Sequence, residues 1–175
     1  MTTFEPLPGS SQYNMITQMG VTDLQTLKNS RDLGESRDLT HAVKNVVSLH
    51  IAQQGFKQAG NLLIACTDEK VEAVAPPEHQ DVGDEDLASL EIYVHPDIKA
   101  YLEPMTSADN PDDLLGFWRS AISFYSNVHE RTMLGTTFRL VTPAMDSRKV
   151  SFRPFFGELV QPQSAASTRK KRRKA

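Results

Sequence analysis

Asn110-Pro111-Asp112-Asp113-Leu114-Leu115-Gly116-Phe117-Trp118-Arg119-Ser120-Ala121-Ile122 is the stretch on which the reading of the fold turns. Asn110 suits an N-cap, because its side-chain oxygen can accept from the free N–H groups of a first helical turn. Pro111 fits the first helical position, where a missing N–H costs nothing. Asp112 and Asp113 complement the positive end of the helix dipole. Behind them Leu114, Phe117, Trp118, Ala121, Ile122, Tyr125 and Val128 recur at helical spacing and share one face. The spacing predicts a helix to about Arg131, ended by Gly135.

Downstream the period changes. Thr136 to Thr142 alternates and is β-branched, Pro143 to Ser147 reads as a turn, and Val150 to Arg153 alternates again. This predicts a β-hairpin whose second strand is limited by Pro154. Upstream, Leu39, Val43, Val46, Val47, His50 and Ile51 form an amphipathic stripe over residues 37–54, with Ser36 or Asp38 as its cap. Gly55 is expected to interrupt it, and Phe56, Ala59, Leu63 and Cys66 to continue as a second helical stripe. Residues 21–28 suggest a short helix, and residues 96–102 another, carrying Ile98, Tyr101 and Leu102. Residues 71–86, with Pro76, Pro77 and five acids from Glu78 to Asp86, read as an exposed acidic loop. The pattern over Leu90–Val94 fits a strand or a helix end.

These elements imply a mainly helical bundle with a small C-terminal β-hairpin. The expected organisation is a flexible N-terminal arm (1–20), a single globular domain (21–160) and a flexible linker with a basic tail (161–175). A chain of 175 residues supports one core.

The net charge of −3 hides an asymmetry. Arg169-Lys170-Lys171-Arg172-Arg173-Lys174 holds 6 of the 19 basic residues and no acid. The remainder sets 13 basic against 22 acidic residues, a net −9. Six adjacent cations repel one another and stay solvated, and such a run attracts phosphate backbones through counterion release. An acidic body does the opposite.

Motifs of catalysis do not emerge. There is no Gly-x-Ser-x-Gly elbow, phosphate-binding glycine loop or dinucleotide fingerprint. The single cysteine, Cys66, sits among apolar residues and reads as a small buried hydrophobe. None of the five histidines forms a His-x-x-x-His pair, and His50 lies on an apolar stripe as a core histidine would. Asp81, Asp84, Glu85 and Asp86 lack the ordered spacing of a calcium loop. Phe117, Trp118, Phe124 and Tyr125 fit a core better than a base-stacking platform, with Phe124 the one expected off the main stripe. No catalytic residue, metal ligand or cofactor is therefore expected. No run approaches the roughly 18 apolar residues that span a bilayer, so no membrane partner is expected either.

The stretch Asp112-Asp113-Leu-Leu-Gly-Phe-Trp-Arg119-Ser120-Ala121-Ile122 resembles the helix that faces the RNA in coat proteins of rod-shaped, tobamovirus-like plant viruses. The resemblance covers 11 residues. It implies that Arg119 contacts phosphate, with Asp112 and Asp113 near the RNA and Ser120 as a secondary contact. Together with the basic run it points to a non-enzymatic structural protein of the coat or nucleocapsid type. Its expected partners are RNA, ahead of DNA, and further copies of itself, and its expected location is a virion or the host cytoplasm. The alternative is a nuclear regulatory protein whose run Arg169–Lys174 is read by an import receptor.

Overall fold

The Trp118 indole is fully buried and donates to Thr17 Oγ1 at 3.4 Å. Thr17 belongs to the segment expected to be a mobile arm, so that expectation fails at the centre of the molecule. The computed structural model describes residues 1–75, 82–106 and 112–156, apart from the Asp112 side chain.

Residues 1–20 supply two strands, β1 (Thr3–Pro6) and β2 (Tyr13–Gly20). Along β2, Met15, Thr17 and Met19 point into the core while Ile16 and Gln18 point out. The period is two, as a half-buried strand requires. The inward residues are methionine and threonine, so hydropathy alone conceals the pattern. β2 runs straight into helix α1 (Val21–Asp32). A longer helix, α2 (Leu39–Gln58), follows; Asp38 caps it by accepting from the His41 N–H at 2.7 Å. It passes through Gly55 without a break.

The expected second helical stripe is instead strand β3 (Leu62–Cys66), with Leu63 and Ala65 inward. Next come β4 (Val71–Ala73) and β5 (Leu87–Val94). In β5, Leu90, Ile92 and Val94 face in while Ser89, Glu91 and Tyr93 face out. The chain continues through α3 (Pro96–Leu102), α4 (Asp112–Met133), β6 (Thr137–Val141) and β7 (Ser147–Val150), ending in a short turn at Arg153–Phe155. The proposed cap Asn110 and first-turn Pro111 lie outside the described residues. At its far end α4 closes as expected. Gly135 adopts φ +81°, and the N–H groups of Gly135 and Thr136 satisfy the carbonyls of Thr132 and Arg131.

The mainly helical bundle is thus corrected to a mixed α/β fold with two antiparallel sheets, ordered β1-β2-β5 and β4-β3-β6-β7. The expected hairpin is corrected in two ways: its second strand is Ser147–Val150, with Arg153 already in a short turn, and β3 pairs along the whole of β6, from Leu62↔Val141 to Cys66↔Thr137, making it part of a four-stranded sheet. Partners distant in sequence override the local helical spacing of residues 56–66. Inward residues of both sheets join α2 and α4 in one apolar core. Trp118, Val47, Leu49 and Leu140 lie at its fully buried centre. Burying each such side chain contributes about 1.5–3 kcal/mol.

Candidate nucleic-acid interface

A phosphate-binding surface needs cations that the protein has not already neutralised. Strand β7 supplies two. In the β6–β7 register Arg139 stands opposite Lys149, and Leu140 opposite Arg148. Arg139 is held in place by donating to Ser147 Oγ at 2.7 Å and to the Ser147 carbonyl at 3.3 Å. Arg148, Lys149 and, just beyond the strand, Arg153 are exposed. Among the described residues, no carboxylate forms an ion pair with any of these four.

Lys149 and Arg153 line a groove of about 440 Å³ with Thr132, Thr136, Thr137 and Ser151. Phe138 and Phe152, packed edge to face at 5.0 Å, form part of its wall. The groove lies where α4 ends and β6 begins. The hydroxyl of Thr132 turns back to the Val128 carbonyl at 2.7 Å. A rim of hydroxyls, one ammonium and one guanidinium suits phosphate oxygens, to which such groups donate charge-assisted hydrogen bonds.

The chain leaves the described fold close by. Phe156 is fully buried, edge to face with Tyr125 at 5.1 Å and with His129 at 5.0 Å. It anchors the chain three residues past Arg153. Twelve residues separate it from Arg169. The run Arg169, Lys170, Lys171, Arg172, Arg173 and Lys174 lies outside the described residues.

The residues singled out by the coat-protein resemblance do not form one surface. Arg119 is already engaged: its Nε donates to Asp23 at 2.8 and 3.0 Å, and its Nη2 to the Glu85 carboxylate. Two carboxylates answer one guanidinium, so the cluster is net negative and repels phosphate. Gly20 sits behind it, where an added Cβ would stand 2.8 Å from Arg119 Nη2. Burial pushes the Asp23 carboxyl above the usual carboxylate range, against the pull of Arg119. Hydrogen bonds from Thr22, with Arg119 adding, hold Glu85 down at about 2. Burial opposes the charge on Arg119, and Glu85 and Asp23 more than offset it. This cluster ties α1, α4 and the segment before β5 together. Ser120 is 5% exposed, and its hydroxyl donates to the Phe117 carbonyl at 3.1 Å. It is a core residue, out of reach of an external strand. Asp113 is exposed in the first turn of α4, and Asp112 begins that helix.

Phe117, Trp118, Phe124 and Tyr125 are all buried, Phe124 included, so none of them offers a base a free face. His50 is buried and bonds Tyr101 through Nδ1 at 2.9 Å, with burial pulling its pKa down. Cys66 is half-buried on β3. Among the described residues no group of three His, Cys, Asp or Glu side chains could hold a metal ion, and no helix is long and apolar enough to cross a membrane.

A second cavity, about 160 Å³, lies between α1 and α4 and is lined by Ser30, Glu35, Tyr125 and His129, among others. Glu35 Oε1 stands 3.0 Å from His129 Nε2, off the hydrogen-bonding direction, so the contact is electrostatic and needs a protonated ring. Sequence reading missed this pair because its members lie 94 positions apart. It also missed the convergence of Lys149 and Arg153. Lys149 lies on β7 and Arg153 in the turn after it, and only the fold shows that neither meets a carboxylate among the described residues.

Comparison with protein-family models, with curated proteins and with solved structures finds no match to this chain.

Proposed function

We propose that this chain is a non-enzymatic, nucleic-acid-associated structural protein of the coat or nucleocapsid type. The basic run Arg169–Lys174 and the exposed cations Arg148, Lys149 and Arg153 contact the phosphate backbone, and RNA is favoured over DNA. The observation that carries this reading is the position of the chain's exit. The segment leading to the basic run starts beside a groove whose own cations have no carboxylate partner among the described residues. Arg119, Ser120, Asp112 and Asp113 have no part in it. The contact is non-specific in sequence, since phosphate contacts position a protein without reading bases.

Titration of the full chain with single-stranded RNA at several salt concentrations tests it. Binding should weaken steeply with salt, each phosphate contact adding about 0.7 to the log–log slope. Deleting residues 169–174 should remove most of the slope. An unchanged slope in the deletion would refute the assignment.

A second reading rests on the same six cations, which also fit a nuclear-import address. Tail-dependent nuclear accumulation of a fluorescent fusion, with no RNA binding by the pure protein, would favour it.

A further inference from the structure

The two sheets expose faces of opposite character. On the first, Ile16 and Tyr93 are exposed apolar residues flanked by Glu5 and Glu91. Asn14 donates to Glu91 at 2.8 Å and fixes that carboxylate in place. On the second, Leu62, Ile64, Val71 and Val141 share the outer face with the facing pair Arg139 and Lys149. Leu62 is 51% exposed and Val71 66%. Glu72 lies on β4 but stands opposite the inward-facing Ala65, on the other side from Leu62 and Val71, and is paired with Lys70 and Arg131; Asp68, Glu69 and Asp146 sit in the connecting turns. Both faces point away from the shared core. Each presents an apolar centre with charged side chains of one sign beside it, and on the first the Met1 ammonium donates to the outward Gln18 at 3.2 Å.

We propose that the outer face of β4-β3-β6-β7 binds the outer face of β1-β2-β5 on a second copy of this chain. Charge selects this pairing from the three available. Either face against its own kind sets like charges together, Arg139 and Lys149 against their copies or Glu5 and Glu91 against theirs. Only the head-to-tail contact sets cations against carboxylates over two apolar centres. Twisted antiparallel sheets stack face to face about 10 Å apart, which lets such side chains interdigitate. Because the two faces differ, each copy keeps one of each free. The contact repeats and builds a ring or an open helical array. The inference rests on the coat-type reading and extends it by naming the subunit contact: in the assembly Lys149 answers a second copy and Arg148 and Arg153 are left to phosphate, while the contact itself requires no nucleic acid.

Sedimentation velocity and light scattering on the full chain without nucleic acid test it, using the double variants Glu5→Lys/Glu91→Lys and Arg139→Glu/Lys149→Glu. Circular dichroism and thermal melts verify that both fold. The wild type should associate as concentration rises. Each variant alone should associate at least about tenfold more weakly, since it carries two faces of one sign. An equimolar mixture should recover association, because every contact in it again pairs opposite charges. A wild type that stays monomeric at all concentrations would overturn the proposal, as it would mean that the apolar face serves another occupant. So would variants that associate like the wild type, or a mixture no stronger than its components. None of these outcomes depends on whether residues 169–174 bind RNA.

Discussion

On the first sheet Met15, Met19, Leu90 and Ile92 face the core, while Glu5, Asn14, Gln18 and Glu91 face outward. On the second sheet Leu63, Ala65, Phe138 and Leu140 face the core, while Leu62, Val71, Arg139 and Lys149 face outward. The insides are alike and the outsides are not. A contrast also separates four of the cations. Arg119, on α4 beside α1 and the segment before β5, is answered by Asp23 and Glu85. Arg148, Lys149 and Arg153, on the side of the second sheet, are answered by no carboxylate among the described residues. Charge on one side is used to hold the fold together. On the other, three exposed cations carry no such pair among the described residues.

The largest expected effects test the likeness of the insides. Met15→Ala and Leu140→Ala, one on each sheet, should each cost about 2–5 kcal/mol in urea denaturation, because both side chains are fully buried and leave cavities. A small loss at either position would show that its sheet is not part of the common core.

The paired arginine comes next. Asp23→Ala should cost about 2 kcal/mol, as it takes one partner from a largely buried guanidinium. Glu85 gives this cluster a pH signature. Its folded-state carboxyl sits at about 2, below the ordinary 4.5, so the folded state binds fewer protons than the unfolded chain. The resulting stabilisation is complete above about pH 4.5 and is lost as pH falls towards 2. Urea midpoints measured across that range should decline, and Glu85→Gln should flatten the decline. Asp23 acts with the opposite sign, losing stabilisation as pH rises just above its ordinary value.

The smallest effect sharpens the contrast of the outsides. Leu62→Thr should leave stability within about 0.5 kcal/mol while weakening the association of full-length chains. A large loss of stability instead would mean that Leu62 is packed within its own chain.

How much of this was legible in the sequence depended on whether partners were local. The α4 helix, its closure at Gly135 and the Asp38 cap are written in short-range spacing and stand as expected, whereas the hairpin's second strand falls at Ser147–Val150 rather than Val150–Arg153. Strands β2 and β3 are not so written. In β2 two of the three inward residues, Met15 and Met19, are ones that propensity does not mark as strand, and β3 borrows its conformation from β6, 70 or more positions away. For the site, the six terminal cations were plain as a run of one charge. The fate of Arg119 was not, since its partners Asp23 and Glu85 lie 96 and 34 positions away. A helix start followed by Arg-Ser is compatible with a surface cation or a structural ion pair, and only the tertiary packing chooses.

The sharpest measurement removes equal charge from two surfaces. Arg148→Ala/Lys149→Ala/Arg153→Ala takes three cations from the hairpin side, and Arg37→Ala/Lys44→Ala/Lys57→Ala takes three from exposed positions on α2 and just before it. Single-stranded RNA titrations against salt should show the first variant losing about two units of log–log slope, roughly 0.7 per lost phosphate contact, with the second unchanged. Equal losses in the two variants, or none in either, would contradict the assignment of the hairpin side as the phosphate-binding face.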